Sequence, residues 1–503
     1  ESAIGTRCDP GLAESLDARI LELDGEDVRF THPLLGSAVL ARQTPGRRRS
    51  LHGRLAAVVP SDEERARHLA LATAKPDRSV AAILEEAART AQARGAPAAA
   101  ADLAEQALRL TPPSSPSDAR RRLLVAADEH NRTGDNARAA SLLEQARATA
   151  APGDERATVV AHLAGIQIRP REAVALYREA LSEAESDDAL QATIHLRLAR
   201  LMRYTEGVER GIEHAQLAIA AAPVADAGLR CRALAAYGLM HFNAGRGIPT
   251  AEMEEALSLE RSLAEWPLAD GPTWVFGWQL LWSADVDRAR PLLHEVRSAM
   301  KARNDPEREA DALWPLGVLE WRAGNWELAD HYIADTVDLF TQLGTLDPPG
   351  EFPAAMIAAH RGRIEDARAR AQAAVARAEA EGMYVAQSGH RWVLGFIELS
   401  LGDATAALGY LRRSFELHNS FTLDPGQPNL GDLLEALIAV GDLDEADEVL
   451  ATWEERALKL DRAWALAILA RCRGLLLAAR GDLDGAFASF ERALAEHARS
   501  TDP

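Results

Sequence analysis

A chain of 503 residues is too long for one hydrophobic core, so several domains or a repeat array are expected. Apolar residues make up 47% and aromatics only 5%, so alanine and leucine fill the interior, and no run approaches the roughly 18 unbroken apolar residues of a membrane span. A formal charge of −20 repels phosphate backbones and argues against direct nucleic-acid contact.

Residues 11 to 59 do not repeat. They read as a helix, then "ILELD" and "DVRFT" as a short hairpin around Gly25, then a helix from Pro33 through about Ala41 and another starting at Pro45. Residues 1 to 60 are therefore expected to form a small winged-helix-like module with one β-hairpin. Arg47, Arg48 and Arg49 at a helix start admit DNA contact by that module, against the acidic balance of the whole chain.

Linking helices and a first repeat are expected over residues 61 to 112, and a repeat array over 113 to 503. Gly324, Gly362, Gly402, Gly441 and Gly481 recur at intervals of 38 to 40 residues. Ala284 continues the series, as do Gly245, Gly207, Gly134 and Gly95, with a degenerate unit near Ile168, for about ten or eleven units. At each anchor an apolar-periodic run ends in a residue suited to the left-handed conformation, and a second amphipathic run follows. In "GDLDEA" the Asp442 carboxylate is expected to cap that second helix, with Glu445 completing a capping box. Five residues after the anchor, alanine recurs at 100, 139, 289, 329, 367, 407, 446 and 486, where a small side chain lets paired helices approach. Prolines in "TPPSSPSD", "APGDE", "TLDPPGEFP" and "TLDPGQPN" end the second helices.

The expected fold is all-α, a superhelix of stacked helical hairpins. "GDLDEADEVLATWEERAL" resembles the turn and second helix of tetratricopeptide repeats, although the period near 39 implies longer helices or linkers. Armadillo- or HEAT-like solenoids share that longer period, but the Gly-Asp-x-x-x-Ala turn is more typical of the tetratricopeptide type.

"VRFTHPLLGSAVLA", "RRRSLHGRLA", "ERARHLALA" and "LEEAARTAQARGAPAAAADLAEQALRLTP", in that order, resemble the large ATP-binding regulators of the LuxR family, specifically over residues 11 to 112. The resemblance implies a segment lying between a P-loop ATPase core and a C-terminal DNA-binding helix-turn-helix. Neither is written here, since no GxxxxGK[ST] occurs. ATP, magnesium and DNA would then act only through domains beyond this segment, which would sense a small-molecule effector or a regulatory protein in the cytoplasm. The same resemblance offers His32 as a nucleotide-sensing residue near the β-phosphate of ADP; the residues alone equally allow His32 to cap the helix at Pro33.

Trp274, Trp278 and Trp282 are spaced four apart, and Trp314, Trp321 and Trp326 follow in the next unit. They form either a groove for an effector or partner, or core packing, because spacing alone does not say which way a face points. Cys8, Cys231 and Cys472 read as buried small hydrophobes in a reducing compartment. No HExxH, GxSxG or metal-spaced histidine cluster occurs, so the segment is not read as an enzyme, nor as holding a metal or cofactor of its own. The alternative to a regulator segment is a free-standing repeat scaffold that gathers protein partners.

Overall fold

The structure, a computed structural model, describes residues 9–24, 27–167, 169–264, 266–268, 270–303, 305–342 and 350–500. Its contacts divide the chain into two compact units, residues 1–151 and 152–503. The expected breaks at 60 and 112 thus lie inside the first unit, where helices pack across both.

The first unit opens with α1 (Asp9–Asp17), β1 (Leu21–Asp24), β2 (Asp27–Phe30), α2 (Pro33–Ala41) and α3 (Pro45–Ala56). The strands pair antiparallel with Leu21 opposite Phe30 and Leu23 opposite Val28, so apolar side chains share one face of the hairpin. The Gly25 turn itself lies outside the described residues. Thr44 caps α3 by accepting a hydrogen bond from the Arg47 N–H, and Pro45 supplies the fixed φ of a first helical turn. Next, α4 (Asp62–Ala72) packs between α3 and α5 (Arg78–Ala93). Then α5 forms a hairpin with α6 (Pro97–Arg109), and α7 (Pro116–Arg132) with α8 (Asn136–Thr149). Val80, Ala81, Leu84, Ala87, Ala88 and Ala91 are the buried stripe of α5, at the three- and four-residue spacing of a helix face.

The second unit is a stack of hairpins. In it α9 (Asp154–Gly165) pairs with α10 (Pro170–Glu183), α11 (Asp188–Thr205) with α12 (Val208–Ala221), and α13 (Ala227–Asn243) with α14 (Thr250–Arg261). Likewise α15 (Pro272–Trp282) pairs with α16 (Val286–Ala302), α17 (Pro306–Arg322) with α18 (Trp326–Gln342), and α19 (Glu351–His360) with α20 (Ile364–Glu381). The last pairs are α21 (Tyr384–Ser400) with α22 (Ala404–Asn419), α23 (Pro428–Val440) with α24 (Leu443–Lys459), and α25 (Ala463–Ala479) with α26 (Leu483–His497). Helices of 17 residues, such as α17 and α18, account for much of the long period. Ile168, near the degenerate unit, lies outside the described residues; α9 and α10 flank it.

The anchors do what their chemistry requires. Gly441 and Gly481 turn the chain at φ of 91° and 86°, and Ala284 takes 61° in the same role. A left-handed alanine costs about 1–2 kcal/mol, which explains why glycine fills the other anchors. The alanines five residues on are all buried, from Ala100 to Ala486. Asp135, Asp285, Asp403 and Asp482 each accept a hydrogen bond from the backbone N–H three residues ahead. Asp442 corrects the expected capping box: its carboxylate makes no cap bond and instead, with Glu445, holds the Arg412 guanidinium of α22. An ion pair to the neighbouring hairpin has displaced the local cap.

Cys231 and Cys472 are buried, and burial pushes both thiols up to about 12, so they stay protonated and unreactive. Cys8 lies outside the described residues. No described helix is long and apolar enough to cross a membrane.

Candidate functional site

The helix α15 carries the tryptophan ladder, and its start is held from α14. Glu260, wholly buried, accepts hydrogen bonds from the N–H groups of Leu268 and Thr273 at 2.9 Å each and from the Thr273 hydroxyl at 2.6 Å. Thr273 lies in the first turn of α15, where backbone donors have no partner within the helix. The carboxylate thus sets where α15 begins and which face it presents.

Residues four apart share that face. The Trp274 and Trp278 rings stack with centroids 5.6 Å apart, Trp282 meets Trp278 edge-on at 5.4 Å, and Trp314 from α17 stacks on Trp278 at 4.9 Å. Trp278 is the middle of a four-ring assembly spanning two hairpins. These rings line one side of a cavity of about 490 Å³ inside the second unit. The size suits a small organic ligand.

Other walls come from distant hairpins. Phe242 and Asn243 end α13, Arg203 and Tyr204 lie near the end of α11, and Ser388, His390 and Trp392 come from α21. Ser388 and Ser414 tie α21 to α22, each hydroxyl donating to the other's carbonyl at 2.9 Å. Their hydroxyls are thereby committed. Buried polar atoms of Asn243, His390, Gln427 and Asn429 have no hydrogen-bond partner among the described residues, which makes this a costly interior to leave dry.

The connection from α22 to α23, whose prolines mark it in the sequence only as a helix-ending linker, forms a further wall. The Leu423 N–H donates to the Asn243 carbonyl at 2.6 Å, and the Asp424 carboxylate accepts from the Gly426 N–H and from Arg462, both at 2.9 Å. Arg462 also bonds the Ser283 hydroxyl and lies 4.8 Å above the Phe242 ring. A Cβ on Gly426 would stand 2.8 Å from the Trp282 carbonyl, and one on Gly245 would stand 2.5 Å from that of Leu423. Gly245→Ala is therefore expected to destabilise by more than the roughly 1–2 kcal/mol of a left-handed alanine. Gly402→Ala, whose Cβ meets nothing within 4 Å, should show the conformational cost alone. Denaturant titration of the two variants checks the difference.

The electrostatics are one-sided. Burial, aided by Arg377 at His390, lowers the imidazoles of His390 and His418 to about 4, so both are neutral at pH 7. Asp424, the carboxylate of the lining, is paired with Arg462. Arg203 is the charged lining residue without an acid partner among the described residues. The histidines also set an acid limit. A base with a folded pKa below its unfolded value of about 6.5 contributes stability that is present above that value and is lost as pH falls through 4. For His390, only 2% exposed, the loss is about 3 kcal/mol, at about 1.4 kcal/mol per pKa unit. Melting temperature is expected to fall between about pH 6.5 and 4, and less steeply in His390→Leu.

Of the residues picked out from sequence, Trp274, Trp278, Trp282 and Trp314 line the cavity. Trp321 does not; it is core, 8% exposed, packed against His360 and Trp392. Trp326 stands at the start of α18, 39% exposed and edge-on to His360, also outside the lining. His32 belongs to the first unit, where its Nδ1 accepts a hydrogen bond from the Leu34 N–H at 3.2 Å, the geometry of a helix cap. Arg203, His390 and the 421–427 segment were missed. A clue lay in "TLDPGQPN": Asp424, Gln427 and Asn429 are buried, unusual for the polar residues of a linker.

No family model and no curated protein sequence matches the chain. Among solved structures it resembles the Cut9–Hcn1 hetero-tetramer of the APC/C, with a TM-score of 0.52 and 13% identity over 92% of this chain and 85% of that one. A Rap protein complexed with competence and sporulation factor gives 0.47 at 13% identity, over 61% and 88%. The human IFIT1 dimer with PPP-AAAA gives 0.44 at 14% identity, over 82% and 90%. The first likeness establishes the fold, an all-α helical repeat of the tetratricopeptide type.

Proposed function

We propose that the chain is a helical-repeat recognition module whose second unit takes a small apolar effector between α13, α15 and α21. The observation that carries this reading is the cavity of about 490 Å³, walled by stacked tryptophans and flanked by segment 421–427, of which residues 424 to 427 are buried. A hairpin stack needs alanine and leucine to cohere, not an aromatic chamber with single unpartnered amide atoms of Asn243, Gln427 and Asn429 around it. Titration with N-phenyl-1-naphthylamine, a neutral dye that brightens in apolar sites, tests it. Saturable binding of one dye per chain, weakened at least about ten-fold by Ala386→Trp, which fills the cavity from its wall, is the expected result. Binding that is absent, or indifferent to Ala386→Trp, refutes the reading.

A finer reading is supported by the resemblance over residues 11 to 112. It makes the chain the sensor and coupling segment of an ATP-dependent LuxR-family regulator, in which occupancy of the cavity shifts the nucleotide state of an ATPase domain. Coupling of that kind requires an effector with different affinities for the two states. His32 would be the nucleotide-sensing contact, and ATP with magnesium would bind the ATPase domain. Nucleotide exchange by the full-length protein with and without effector tests this, and an unchanged rate refutes it. A scaffold for protein partners is the coarser alternative. It is favoured by exposed Leu483, Phe487 and Leu494 on α26, a surface able to receive another protein.

A further inference from the structure

The effector reading leaves open what chemistry the cavity accepts, and its walls narrow the choice. Flat rings dominate: Trp278 is stacked on both Trp274 and Trp314, and Trp392 and Phe352 sit across the lining with centroids 5.5 Å apart. Such walls favour a planar, apolar body. The charges then discriminate. Indole faces can attract a cation, but here the guanidinium of Arg203 in the same lining opposes one, and Asp424 is already bound by Arg462 and by the Gly426 N–H. The Ser388 and Ser414 hydroxyls are spent on each other's carbonyls, whereas single polar atoms of Asn243, His390, Gln427 and Asn429 remain without a partner among the described residues, so the lining suits a ring system that carries a few polar atoms.

Arg203 differs from its neighbours. Arg200, one helical turn earlier on α11, is paired with Asp270 at 2.6 Å, and Arg232 approaches the same carboxylate at 3.8 Å. Arg203 instead stacks its guanidinium 4.3 Å from the Tyr204 ring centroid and donates to the Tyr204 hydroxyl. No carboxylate among the described residues balances it, and its buried Nε has no acceptor. A guanidinium retains its charge even where burial and a neighbouring arginine lower its pKa to about 9, as here. An uncompensated cation beside an aromatic chamber of low polarity is unfavourable unless an anion joins it.

The geometry points to an aromatic carboxylate as the effector: a planar ring system against the Trp274–Trp278–Trp314 stack, with its carboxylate received by Arg203. This rests on the reading of the cavity as an effector site and adds the chemical class. A guanidinium offers a carboxylate two parallel donors, and the apolar surroundings strengthen that pair relative to water.

Isothermal titration of the whole chain with 2-naphthoate and with 2-naphthamide, the same ring system without the charge, separates the two claims. Wild-type protein is expected to bind 2-naphthoate at least about ten-fold more tightly than 2-naphthamide. Arg203→Gln should erase that preference by weakening 2-naphthoate at least about ten-fold, while circular dichroism and denaturant titration report that the variant is folded; Arg203→Lys should keep part of the preference. Equal affinities in the wild type, or a preference that survives Arg203→Gln, overturn the carboxylate inference while leaving the cavity a binding site. Failure of both compounds to bind the wild type overturns the effector reading and the inference with it.

Discussion

Arg462→Ala is expected to destabilise the second unit by about 3–5 kcal/mol, the usual cost of leaving one member of a buried ion pair alone. Arg462 and Asp424 have side chains only 11% and 6% exposed. Asp424 keeps a single bond, from the Gly426 N–H, once the guanidinium is gone. The arginine also bridges the Ser283 hydroxyl just past α15 and the Phe242 ring of α13, so its removal leaves the Leu423 N–H bond to the Asn243 carbonyl as the hydrogen bond tying segment 421–427 to α13. Two readouts are expected to move in parallel: unfolding at lower denaturant and loss of N-phenyl-1-naphthylamine binding. The double variant Arg462→Met with Asp424→Ala should recover much of the stability, because it removes both charges rather than stranding one. A single variant as stable as the wild type would mean that the pair does not hold the segment.

Glu260→Ala is expected to cost about 3 kcal/mol or more, since three donors that now meet one carboxylate would be left buried without an acceptor. The effect should reach the cavity, because the first turn of α15 sets the rotation of Trp274 and Trp278. Glu260→Gln, of the same shape but with an NH₂ facing at least one donor, should fall between. Denaturant titration gives the stability order. Tryptophan emission should shift in Glu260→Ala before global unfolding, reporting a loosened ring stack. No shift, or a stability equal to wild type, would show that α15 is positioned by packing alone.

Features governed by local chemistry were legible in the sequence. Pro33 and Pro45 start helices, the 20–31 hairpin forms, and the anchor residues close helices, because each depends on a few adjacent residues. Asp442 shows the limit. Its local pattern was that of a cap, but Arg412 lies on another hairpin, and an ion pair across the stack took the carboxylate. Likewise "TPPSSPSD" and "APGDE" are equally proline-bearing breaks, yet α6 and α7 pack across the first and the boundary between units falls at the second. The tryptophan spacing marked one face of α15 but not its direction. That direction is set by Glu260 on α14, and what the face looks onto includes segment 421–427, more than a hundred residues away, which reaches back to Asn243. Arg203 was invisible for the same reason, since only the fold reveals which of many arginines lacks an acid.

The most direct test of the account is a crystal structure of the chain grown with 2-naphthoate. The expected density is one naphthalene ring system against Trp278 inside the cavity, with the carboxylate within hydrogen-bonding distance of Arg203 and segment 421–427 closed over it. Density only at surface sites, or a cavity filled by the inward collapse of Trp278 and Trp314, would contradict the claim that the second unit is built around a ligand.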